Sequence, residues 1–167
     1  LRALDLKGCI VTIDAMGCQT AIADLIVEGE ADYLLSLKGN QSNLHEDVVL
    51  LFDDLAASNF TAYPYSYART VDKGHGRIEI RRCWTIDYLS LDVSLRGADN
   101  WPNLTTLVKV QSERFIDGKR SIDDRYFIAS YRDTACHILP HTRQHWHIEN
   151  SLHWVLDIAF RDDECRI

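Results

Sequence analysis

A chain of 167 residues that is 46% hydrophobic and 26% charged is long enough for one domain with a real core, short for two, and too ordinary in composition for a disordered or fibrous protein. Eighteen Lys and Arg against 25 Asp and Glu give a formal charge of −7, which excludes a generalised attraction to polyanions and asks any such partner to find a local basic face. No apolar run approaches the roughly 20 residues of a membrane-spanning helix and no signal-peptide pattern opens the chain, so it reads as cytoplasmic with no membrane partner.

Gly8 to Asp14 reads G-C-I-V-T-I-D, an apolar, β-branched run closed by a carboxylate, which predicts a strand covered on both faces in a parallel sheet. Because Leu1 is not a Met and leads within a few residues into this strand, the chain is expected to begin partway through a longer protein. After the small Ala15-Met16-Gly17 turn, Gln19 to Glu28 carries Ala21, Ile22, Leu25 and Ile26 at helical spacing, with Gly29 as its stop. Ala31 to Leu37 is a second apolar strand, ending in Lys38-Gly39-Asn40-Gln41. Strand, helix and strand of these lengths make a right-handed βαβ unit. Its parallel strands deliver Asp14 and Lys38 to one carboxyl edge, where open α/β sheets place ligands.

Ser42 to Ala57 predicts a second helix, with Ser42 and Asp47 at its start and Leu44, Val48, Leu51, Phe52 and Leu55 as its apolar stripe. Beyond it the texture alternates. In Arg77-Ile78-Glu79-Ile80-Arg81 the isoleucines share one strand face and the charged residues the other. Leu104 to Glu113 and Arg125 to Ser130 read the same way, joined through Asp117-Gly118, a turn dipeptide. Residues 42–133 therefore read as a helix plus an antiparallel β insertion, and 1–41 with 134–167 as an α/β core. From about Leu139 the helical pattern returns, with Pro140 in its first turn and Ile148, Leu152, Val155 and Ala159 on one face. His141, His145, Glu149, His153 and Asp157, each four residues from the next, occupy the adjoining side.

Asp14 at the end of a core strand and Glu149 at the border of a core helix are the minimum oxygen-ligand set for a divalent cation, magnesium or manganese, of the kind that activates water in phosphodiester cleavage. The competing reading makes Asp14 a cap and Glu149 a solvated helix residue. Cys136 or His137 with His141 and His145 has zinc-ligand spacing, and hydrogen bonding along a packed helix explains the same histidines. The five cysteines, at 9, 18, 83, 136 and 165, are odd in number and lack a C-x-x-C pair, as expected of reduced thiols. Lys73, His75 and Arg77, with Arg69, Arg81 and Arg82, form the most basic stretch, suited either to gripping phosphates or to a solvated hairpin.

The segments T-I-D-A-M-G-C-Q (12–19), D-Y-L-L-S-L-K-G-N-Q (32–41), G-H-G-R-I-E-I-R-R (74–82) and H-W-H-I-E-N-S-L-H-W-V-L-D-I-A-F-R-D-D (145–163) resemble the H-repeat-associated insertion-sequence transposases of the DDE superfamily. The resemblance implies a ribonuclease-H-like fold carrying an acidic metal-binding triad, with a β-rich insertion before the helix that bears the last acid. Transferred residue by residue, it makes Asp14 the second acid and Glu149 the third, both catalytic magnesium ligands. Lys38, Asn40 and Gln41 match a segment expected to contact DNA, and Lys73, His75, Arg77, Arg81 and Arg82 lie in or beside the motif expected to grip the terminal repeat. Where related transposases carry a tyrosine, an arginine and a lysine around the last acid, this chain has Thr142, His145 and Leu156, so His145, His153 and Asp157 are the candidates for supporting roles. Nothing before Asp14 matches the first acid, and Asp5 lies too close to replace it. The expectation is therefore a fragment lacking its opening strands, binding metal weakly and joining DNA poorly by itself. A catalytically inactive remnant that binds DNA weakly or self-associates through an open sheet edge is the alternative.

Overall fold

The computed structural model describes residues 5–74 and 76–148. In chain order it contains β1 (Ile10–Ile13), α1 (Thr20–Glu28), β2 (Asp32–Leu37), α2 (Ser42–Ala57), β3 (Ser66–Gly74), β4 (Arg77–Asp87), β5 (Thr106–Ile116), β6 (Lys119–Ala129) and α3 (Ala135–Ile148). The strands form a six-stranded sheet in the order β1-β2-β6-β5-β4-β3. Only β1 and β2 are parallel, joined through α1 as the βαβ reading requires, and every other neighbour is antiparallel. The β-rich segment expected as an insertion is continuous with the parallel pair, because β6 pairs directly with β2.

The apolar run of β2 follows from its central place. Tyr33, Leu35 and Leu37 pack with Ala23 and Ile26 of α1 and with Leu44, Val48, Leu51, Phe52 and Leu55 of α2. Leu34 points the other way, into a cluster with Cys83, Val108, Val110, Phe127, Ala135, Ile138 and Leu139 beneath α3. The result is three layers, with α1 and α2 on one face of the sheet and α3 on the other. Among the described residues no helix is long and apolar enough to cross a membrane. Burial pushes the thiols of Cys18 and Cys83 up to about 12, so neither is a thiolate near neutrality, and all four described cysteines are free.

Two helix starts differ from the sequence reading. Ser42 makes no capping bond, and Asp47 instead takes Arg96 through bonds of 2.7 to 3.2 Å, tying α2 to the loop before β5. α3 begins at Ala135, so Pro140 lies inside the helix. Its true start is marked by Asp133-Thr134: the Asp133 carboxylate accepts the Thr134 N–H at 2.7 Å, and the Thr134 carbonyl accepts the N–H groups of His137 and Ile138.

Candidate active site

Strand register assembles the site. Thr12 stands beside Leu34, Leu34 beside Ala129, and Ser36 beside Phe127. Side chains alternate along a strand, so Thr12, Leu34, Ser36 and Phe127 share the α3 face, and the same alternation carried past the strand ends brings Asp14 and Lys38 to it. These residues, with Arg125 and with His141 and Thr142 of α3, line a cleft of about 90 Å³. The expected meeting of Asp14 and Lys38 at one carboxyl edge is thus observed.

Asp14 caps the short 3-10 turn Ala15–Gly17 through a single oxygen, Oδ1, which accepts the N–H groups of Met16 at 3.1 Å and Gly17 at 3.3 Å. Oδ2 makes no hydrogen bond among the described residues. Capping and metal ligation are therefore compatible, since the cap fixes the carboxylate and leaves one oxygen for a ligand. Gly17 is needed for this turn, because a Cβ there would stand 2.2 Å from the Cγ2 of Ile13. Asn40 donates to the carbonyls of Ala15 (2.7 Å) and Cys18 (3.4 Å), and Gln41 to that of Cys18 (3.1 Å). These amides lash the turn after β2 to the turn after β1, so their donors hold the rim of the cleft while Lys38 remains exposed on it.

On α3, His141 Nδ1 lies 3.1 Å from the Tyr131 hydroxyl, and burial pushes that phenol well above its ordinary range. His137 is held by Asp133 at 2.7 Å. Partial burial raises the Asp133 carboxyl, but the bonds from His137 and the Thr134 N–H outweigh it and leave the group below the usual carboxylate range. The two histidines thus have separate partners, and among the described residues no three His, Cys, Asp or Glu groups are placed to share a metal. Glu149, His153, Asp157 and His75 lie outside the described residues, as does the side chain of His145.

The basic stretch is more neutralised than its sequence implies. Arg81 pairs with Asp72 and Glu79, both at 2.7 Å, and Arg82 with Glu113 at 2.8 Å. Successive residues on β4, they point to opposite faces of the sheet. Arg77 stays exposed, 3.9 Å from Glu79. Arg114, across the ladder from Glu79, also binds it at 3.0 Å.

The whole chain, residues 1–167, matches the family model described as Transposase DDE domain. The chain belongs to the DDE transposase family.

It is 36% identical, over its full length, to the "H repeat-associated putative transposase YhhI" of Escherichia coli K12, covering 44% of that protein. It is 38% identical, again over its full length, to the "Putative transposase YncI" of Escherichia coli O157:H7, covering 42% of it. Over 78% of its length it is 44% identical to the "Uncharacterized protein in dhlA 3'region" of Xanthobacter autotrophicus, covering 42% of that protein. The chain thus spans less than half the length of these relatives. No solved structure matches it. Within this DDE chain, sequence reading found Asp14 and Lys38 because strand ends announce themselves. It missed Thr12, Ser36, Arg125 and Thr142 as cleft residues and Arg114 as a partner of Glu79. The alternation of β1 and β2 could have supplied the first two; the others depend on which strands and helix become neighbours.

Proposed function

We propose that the chain is part of a ribonuclease-H-like catalytic domain of a DDE transposase that cuts and joins DNA at insertion-sequence ends. In this reading 1–41 and 134–167 form the catalytic core and 42–133 the inserted helix and strands. The observation that carries it is Asp14, fixed by two backbone N–H groups at the carboxyl end of a parallel strand and lining a cleft that α3 completes. The Asp14 carboxylate, with the hydroxyls of Thr12 and Ser36 in the same cleft, suits a hard divalent ion such as magnesium, which takes one or two carboxylates and completes its shell with water and phosphate oxygens. Asp14 and Glu149 would hold it, and when bound it would lower the pKa of an attacking water or 3′ hydroxyl and steady the leaving oxygen. Lys38 on the cleft rim offers a fixed positive charge to a phosphate oxygen, and Asn40 and Gln41 keep the two rim turns at a constant separation.

The test is magnesium-dependent nicking of a matching terminal-repeat duplex by a protein that extends this chain upstream through the strand expected to bear the first acid. Asp14→Asn and Glu149→Gln should each slow nicking by about two to three orders of magnitude, the scale of several kcal/mol of transition-state stabilisation. Unchanged rates would reject the assignment. The outer edge of β1 is unpaired among the described residues, which favours a second reading: a remnant that self-associates through that edge. Light scattering that finds a strict monomer at all concentrations would reject it.

A further inference from the structure

We propose that the α3 face of β3 to β6 is a track for the phosphodiester backbone of duplex DNA, and that buried Glu79 is the residue that positions its arginines. The proposal deepens the DNA reading above and rests on it. Glu79 is 3% exposed, yet it is ringed by Arg81 at 2.7 Å, Arg114 at 3.0 Å and Arg77 at 3.9 Å. Asp72, its cross-strand neighbour, receives Arg81 at 2.7 Å and Arg143 of α3 at 3.2 Å. Two acids therefore face four guanidinium groups, and the cluster keeps a positive surplus in a chain of net charge −7. Arg77, Arg114 and Arg143 remain 55%, 39% and 51% exposed, so donors are left for a ligand.

The register places neutral hydroxyl donors in the same rows: Thr70 and Ser112 flank Arg81, and Ser121 lies beside Arg114. The face runs back past Asp123, which binds Arg125 at 2.8 Å, to Arg125 and Lys38 at the Asp14 cleft, so a backbone lying on it is led toward the proposed reacting phosphate. Among the described residues, the α3 face of β3 to β6 has one exposed isoleucine, Ile116, whereas the opposite face, which also carries Arg69, Lys73, Arg82 and Arg120, breaks up its cations with more apolar surface. There Val71, Ile78 and Ile122 are 45%, 39% and 50% exposed, and the buried Glu113 takes up Arg82 and Arg120. Apolar surface of that sort gives a phosphate chain nothing in exchange for its hydration. Guanidinium forks already held by a carboxylate lose less side-chain entropy when a phosphate arrives. That is the work assigned to Glu79.

The experiment is the salt dependence of affinity of the whole chain for a short fluorescent duplex, read by anisotropy, for the parent and for Arg77→Gln, Arg114→Gln, Arg69→Gln and Glu79→Gln, each checked by thermal melting. Arg77→Gln and Arg114→Gln should weaken binding several-fold and lower the slope of log affinity against log salt by about 0.9 each. Arg69→Gln, on the opposite face, should leave affinity within about twofold and the slope unchanged. Glu79→Gln removes a negative charge, so bulk attraction alone would tighten binding. Positioning predicts weaker binding and a shallower slope in the folded variant, a change that loss of stability alone does not produce. Arg77 and Arg114 are partly exposed, so their variants decide the face even where Glu79→Gln fails to fold. Equal losses from both faces, or tighter binding by Glu79→Gln, would overturn the track and leave the metal site untouched. Absence of any duplex binding by the parent chain would overturn the track and the DNA reading together.

Discussion

Asp14 caps the turn after β1 through Oδ1 alone, so the cap does not exclude the ligand role proposed for it. Glu113 is the reverse case, an acid consumed by structure. It is 4% exposed and bound by Arg82 at 2.8 Å and by Arg120. The Arg82 hydrogen bond holds its carboxyl below the ordinary glutamate range against the upward push of burial, and Arg120 adds to the effect. A depressed folded-state value means that this stabilisation is present above the unfolded glutamate range and disappears as pH falls through the depressed value. Thermal melts from about pH 5 down to about pH 3 should therefore fall more steeply for the parent than for Glu113→Gln; parallel curves would show that the pair contributes nothing. At this scale the sequence revealed strand-end residues such as Asp14 and Lys38. It did not reveal that Glu79 would be buried while Ile78 stays 39% exposed, because the covering groups are Arg81 of its own strand and Arg114 of the next, and among the described residues no helix packs on the isoleucine side there.

Among the elements, the βαβ unit, α2 and the β5–β6 hairpin were legible because periodicity and turn chemistry agree locally. The hairpin turn has Asp117 at φ 48° and Gly118 at φ 74°, the left-handed pair that a two-residue turn demands. Gly118→Val should cost about 1–2 kcal/mol, read as a lower Tm, since a β-branched side chain resists that conformation. An unchanged Tm would mean that the turn relaxes into another type. The start of α3 was misplaced for a physical reason. Proline favours the first turn, where its missing N–H is not needed, but here it stands inside the helix and leaves the Cys136 carbonyl without its usual donor. The Asp133-Thr134 pair was the better signal, because Asp133 fixes the Thr134 N–H and the Thr134 carbonyl accepts the N–H groups of His137 and Ile138, while Ser66 of β3 accepts that of Ala135.

At the level of the molecule, the α/β class was readable from the order of elements, whereas the sheet order was not. That β6 would lie beside β2 depends on a contact between residues about as far apart as Leu34 and Ala129, which no local pattern encodes. That single pairing places the basic strands and the Asp14 cleft on one continuous sheet, under α3. Asp14 is the proposed anchor of a divalent-metal site on the α3 face. The most direct measurement is paramagnetic broadening of backbone amide resonances on titrating the chain with manganese. Broadening should centre on Thr12, Ala15, Ser36 and Thr142 and vanish in Asp14→Asn. Broadening centred instead on the acids around Arg96 or on the Asp133–His137 pair, or a pattern untouched by Asp14→Asn, would contradict it.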